Sequence, residues 1–116
     1  GFLGSVDGGI AEELWTRLIV MTLGAWLIWR VGARRVRPVP AWTYWVGIVV
    51  AGVAFGLGHL PVTTGVWDLT PIVVARILLL NLLPAVGFGY LYWRWGIEHA
   101  MLAHFVADLV LRGLGV

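Results

Sequence analysis

Long apolar runs, each near the length that crosses a bilayer, restrict this chain more than any other feature. A hydrocarbon core about 30 Å thick needs about 20 mostly apolar residues in helix, and the 116 residues divide into four stretches of that kind. The first runs roughly over residues 10–30 and the second over about 41–60. After a loop over 61–70, the third opens at Pro71, a residue suited to the first turn of a helix. It reaches about residue 95, with Pro84 as a kink and Gly87 and Gly89 loosening its end. The fourth covers residues 97–112 after a turn at Gly96. The predicted fold is all-α: a polytopic membrane helix bundle of about four transmembrane helices, with residues 1–116 as one core domain of a larger multi-helix protein.

Composition narrows the function classes. Hydrophobic residues make up 60% and charged residues 12% of the chain, against roughly a quarter charged in soluble domains, so a soluble enzyme is excluded. Disorder is excluded as well, since disordered segments are poor in apolar residues. The absence of Cys removes disulfides, thiolate zinc sites and cysteine nucleophiles together. The chain opens on Gly with no basic segment ahead of a short apolar core, and reads as a piece of a longer protein. All eight basic residues are Arg, and Arg30, Arg34, Arg35 and Arg37 share one short loop between apolar stretches. That pattern is a positive-inside cytoplasmic loop rather than the broad cationic face that nucleic acid needs. Trp26, Trp29, Trp42, Trp45, Trp93 and Trp95 stand near it, as an aromatic belt would. The expected setting is a prokaryotic plasma membrane, with the bilayer itself as a partner and no nucleic acid.

Charged side chains near mid-membrane cost about 2.5–3.5 kcal/mol each on insertion scales, so those present need partners or a function. Short loops force an up-and-down order. Glu12, Glu13 and Arg17 of the first helix, His59 of the second, Arg76 of the third and His104 and Asp108 of the fourth then fall in one leaflet. Glu98 and His99 fall at the opposite end, beside the arginines.

Spacing assigns these residues more closely. Glu13 and Arg17, four apart, share a helical face and can pair, whereas Glu12 is turned about 100° away and is free to act as a base. Taken alone, both glutamates also fit solvated acids at a helix start. Gly52 and Gly56 form a GxxxG face for close packing that brings His59 towards its neighbours; a histidine there also fits a helix C-terminal cap. His104 and Asp108, four apart, suit an imidazole oriented by a carboxylate, or a polar pair joining two helices at about 0.6 kcal/mol.

In order, Glu12 to Arg17 reads EExxxR, Phe55 to His59 reads FxxxH, and His104 to Asp108 stands where HxxxN or a close variant occurs in one family. With Gly89 to Arg94 ahead of the last motif, the chain resembles the CPBP intramembrane proteases, also called the CAAX protease and bacteriocin-processing or Abi family. The resemblance covers essentially the whole chain, and members usually carry further helices before EExxxR. It implies peptide-bond hydrolysis inside the membrane on a membrane-embedded or lipidated substrate. Glu12, helped by His59, would activate a water; His104 and Asp108 would stabilise the oxyanion; Glu13 and Arg17 would hold the first motif. Asp108 departs from the family pattern, because an ionised Asp cannot donate a hydrogen bond. Glu12, His59 and His104 can also compose a two-His, one-carboxylate Zn2+ site, but no HExxH is present, and a metal-free glutamate mechanism is preferred. A catalytically silent scaffold of the same fold and a small proton- or ion-coupled transporter fit the same residues.

Overall fold

A computed structural model describes residues 2–115 as four antiparallel helices. Helix α1 spans Phe2–Ala33 and α2 spans Ala41–Gly58, continued after His59 by a short turn over Leu60–Thr64. Helix α3 spans Pro71–Trp95 and α4 spans Ile97–Gly113. No strand occurs among the described residues. The all-α membrane bundle expected from the apolar runs is the architecture found, with one adjustment to the span count. Three helices are long and apolar enough to cross a membrane. The fourth, α4, has 17 residues, about 25 Å at 1.5 Å per residue, and packs against α3 and the start of α1.

Burial is inverted relative to a soluble bundle. Ala25, Ala51, Ala85, Ala100, Gly47 and Gly52 fill the helix contacts, while Leu23, Leu27, Val49, Leu79, Leu83 and Leu102 face outward. Small residues inside and bulky aliphatics outside suit helices that associate within lipid. The GxxxG face of α2 behaves as its spacing predicts: a Cβ on Gly52 would lie 2.8 Å from Leu82 Cδ1, and one on Gly56 would lie 3.2 Å from Leu78 Cδ2. Gly89 packs on Ile48, 3.0 Å from where its Cβ would be, inside a helix that continues to Trp95. It therefore tightens α3 against α2 rather than loosening its end.

Two helices run further than their local composition suggests. Helix α1 starts at Phe2, not near residue 10, because Gly9 lets it approach α4: a Cβ there would meet the Met101 carbonyl oxygen at 3.1 Å and Phe105 Cβ at 3.2 Å. Helical residues continue through Pro61 to Thr64, since proline is tolerated at the start of the short turn. The start of α3 follows the expectation, with Pro71 in its first turn and the Thr70 hydroxyl accepting from the Val73 amide at 3.3 Å.

Candidate active site

The local winding of α1 differs from a regular α-helix where the polar residues sit. Gly8–Glu12 and Leu14–Met21 carry i→i+5 π-type hydrogen bonding, a winding that recurs at functional sites. The Thr16 hydroxyl donates to the Glu12 carbonyl at 2.6 Å and the Thr22 hydroxyl to the Arg17 carbonyl at 2.9 Å. These side chains stabilise carbonyls in the wider turns.

Glu13 is the hub. Its Oε2 accepts from Arg17 Nε at 2.9 Å, and its Oε1 accepts from His104 Nδ1 at 2.9 Å. Glu13 and Arg17 are both fully buried, so the pair four residues apart forms as the spacing predicts. Arg17 Nη1 and Nη2 have no hydrogen-bond partner among the described residues, which makes the Glu13 carboxylate the compensation for a buried guanidinium.

The orienter of His104 is therefore Glu13, not Asp108. The carboxylate four residues on lies 3.7 Å from His104 Nε2, beyond hydrogen-bond length, and its other oxygen faces Arg112 Nη2 at 3.6 Å. His104 is further fixed by Phe88, stacked on its ring at a 4.8 Å centroid distance, and by the edge of Phe55. With Nδ1 committed to Glu13, Nε2 is presented between Glu12 Oε2 at 3.6 Å and Asp108.

The two adjacent glutamates have opposite surroundings. The Glu12 side chain is 41% exposed against 0% for Glu13, so only Glu12 can reach water. His59 is both the C-terminal cap of α2, its amide bonded to the Gly56 carbonyl at 3.2 Å, and a cavity residue. Its Nδ1 lies 2.8 Å from the Phe55 carbonyl oxygen. A carbonyl only accepts, so Nδ1 bears the proton and Nε2 of the neutral ring keeps its lone pair.

Glu12, His59, His104 and Asp108 line one cavity of about 150 Å³. Gly8, absent from the sequence-based set, is buried against these polar groups. A Cβ there would fall 3.2 Å from Asp108 Oδ2, 3.7 Å from Glu12 Oε2 and 3.8 Å from His104 Nε2, so three polar atoms converge on a point that only glycine leaves open. Asn81 of α3 also lines the cavity; a single polar residue in an otherwise apolar run is the signal that marks it. Arg76 is not part of this group: it is exposed on α3 and does not line the cavity. Glu98 and His99 lie at the start of α4, one helix length from Arg112, as expected.

Among the described residues no three His, Asp or Glu side chains are grouped so as to hold a metal ion. Glu12, His59 and His104 do not form the tight donor set that zinc requires.

The helix bundle thus turns aliphatic side chains outward and gathers a carboxylate, two imidazoles and a buried Glu–Arg pair in its interior. The family model described as type II CAAX prenyl endopeptidase Rce1-like matches residues 1–110, and the chain belongs to that family. It is an integral membrane protein of a CAAX peptidase family, as the three motifs imply. No curated protein and no solved structure matches the chain.

Proposed function

We propose that this chain forms the catalytic core of an intramembrane endopeptidase that cleaves a membrane-associated substrate, a prenylated CAAX-like or leader peptide, with a glutamate-activated water and no metal. The observation that carries this reading is the convergence of Glu12, His59 and His104 on one small cavity while Glu13 clamps His104 from behind. Glu12 Oε2 takes a proton from a water whose oxygen attacks the scissile carbonyl carbon. His59 Nε2 accepts the second water hydrogen and so orients the lone pair that attacks.

Negative charge then develops on the carbonyl oxygen, and His104 Nε2–H donates to it. A ring that donates from both nitrogens is cationic, and Glu13 at 2.9 Å supplies its counter-charge. Preorganised donors of this kind are often the largest catalytic contribution. Collapse of the tetrahedral intermediate breaks the C–N bond, and Glu12 returns its proton to the leaving amine. The Glu13–Arg17 pair positions; it does not touch the reacting atoms.

Cleavage of a prenylated peptide by the full chain in liposomes tests this, with Glu12→Ala as the control and a chelator arm. Wild-type cleavage that survives chelation and is lost in Glu12→Ala supports the reading. Unchanged turnover in Glu12→Ala contradicts the general-base role, and loss on chelation with recovery on added zinc contradicts the metal-free mechanism.

A further inference from the structure

The proposed hydrolysis leaves one requirement unmet on α4. An oxyanion is usually held by two donors, and Asp108, with Oδ1 3.7 Å from His104 Nε2 and Oδ2 3.6 Å from Arg112 Nη2, is arranged as an acceptor between two donors. A carboxylate so placed has no N–H or O–H to offer.

The remaining amide in the cavity is on a different helix. Asn81 of α3 lines the same cavity as Glu12, His59, His104 and Asp108. It stands beside Gly56 of α2, whose Cβ would lie 3.8 Å from Asn81 Cβ, three residues before His59. On α3 it shares a face with Phe88, seven residues on, and Phe88 is the ring stacked on His104. Asn81 thus stands at the cavity that both histidines line.

Its known hydrogen bond leaves it available. Asn81 Nδ2 donates to the Ile77 carbonyl at 2.8 Å, and a carboxamide nitrogen has two N–H groups, so one remains. That bond does not answer a structural need either. Ile77 is four residues back, where the helix already supplies a backbone donor. The carbonyl orphaned by Pro84 is that of Leu80. A polar side chain in a membrane helix with no structural debt to settle is a mark of function.

We infer that Asn81 is a further catalytic residue: its free carboxamide N–H is the second oxyanion donor, taking from α3 the part that an amide at position 108 would play on α4. This rests on the hydrolytic reading above. Losing one oxyanion donor costs about 10²–10³-fold in kcat.

The test is steady-state cleavage of a prenylated peptide in proteoliposomes by wild type, Asn81→Leu, Asn81→Asp and Glu12→Ala. Leucine has the same branching and the same number of side-chain heavy atoms as asparagine and suits a helix that already reads Leu78, Leu79 and Leu80, so Asn81→Leu is expected to keep the bundle. Both Asn81 variants are expected to lose about 10²-fold or more in kcat with KM within about twofold, and Asn81→Leu to keep its unfolding midpoint. A kcat for Asn81→Leu within threefold of wild type, while Glu12→Ala is inactive, overturns the Asn81 assignment and leaves the hydrolytic reading standing. Equal activity of Glu12→Ala and wild type overturns the hydrolytic reading itself.

Discussion

The two ends of the bundle solve opposite problems. At the end where α1 starts and α4 finishes, charged groups are buried and compensated: Glu13 and Arg17 are fully enclosed, and His104 is held by Glu13 at 2.9 Å. At the other end the arginines stay on the periphery and rest on aromatic faces. Arg30 lies 5.7 Å from the Trp26 ring centroid, Arg37 5.1 Å from Trp29 and Arg94 5.7 Å from Trp93, an arrangement suited to the headgroup region. The larger cavity, about 620 Å³, belongs to the arginine end, and its lining has no carboxylate and no histidine. The smaller one, about 150 Å³, holds Glu12, His59, His104, Asp108 and Asn81. Size therefore points away from the chemistry here. The density of convergent polar groups points to it.

Substitutions sharpen this contrast, starting at the buried hub. Glu13→Gln leaves the Arg17 guanidinium without its counter-charge, and breaking a buried pair in this way costs about 3–5 kcal/mol. Its unfolding midpoint in detergent should fall clearly, with cleavage lost alongside; an unshifted midpoint would show that the pair does not support the site. His59→Ala, which removes the proposed water-orienting imidazole together with its bond to the Phe55 carbonyl, is expected to lower kcat by about 10²-fold with a smaller loss of midpoint than Glu13→Gln. A fall in stability without a change in kcat would reduce His59 to a helix cap.

Gly8→Ala places a methyl 3.2 Å from Asp108 Oδ2 and within 3.8 Å of Glu12 Oε2 and His104 Nε2, so these polar groups must shift to admit it. Small misplacements at such a point cost up to about 10²-fold, so kcat measured beside an unchanged midpoint should drop at least tenfold. Full activity would mean that the close packing at Gly8 does not set the placement of these groups. At the arginine end, Arg37→Gln and Trp29→Ala should change kcat by less than about twofold, because rim charges and interfacial rings act on placement in the bilayer rather than on bond breaking. A tenfold loss from either would break the distinction between the two ends.

What the sequence made legible follows from the range of the interactions. The Pro71 start of α3, the turn at Gly96 and the Glu13–Arg17 pair are local effects of backbone chemistry and helical spacing, and they appear where expected. The GxxxG stripe was readable for the same reason. Three features depended on contacts far apart in the chain. Glycines near the start of α1 resemble helix breakers until α4 packs against Gly9. The tie from Glu13 to His104 spans 91 positions, so the nearer Asp108 was the natural choice as orienter. Arg76 shares the depth of the site but stands on the wrong face of α3, and depth alone does not fix a face. Gly8 and Asn81 lie outside the three motifs: Asn81 is revealed by the cavity it lines and Gly8 by its close approach to Asp108, Glu12 and His104.

In the proposed reaction Glu12, the exposed member of an adjacent glutamate pair, is the base at this cavity. Glu12→Gln preserves size and hydrogen-bonding capacity while removing the proton acceptor. Single-turnover cleavage of a prenylated peptide by this variant in proteoliposomes, with binding of the same peptide measured in parallel, tests it most directly. Retained peptide binding and cleavage slowed by about 10³-fold or more are expected if Glu12 is the base. Cleavage within tenfold of wild type would contradict it.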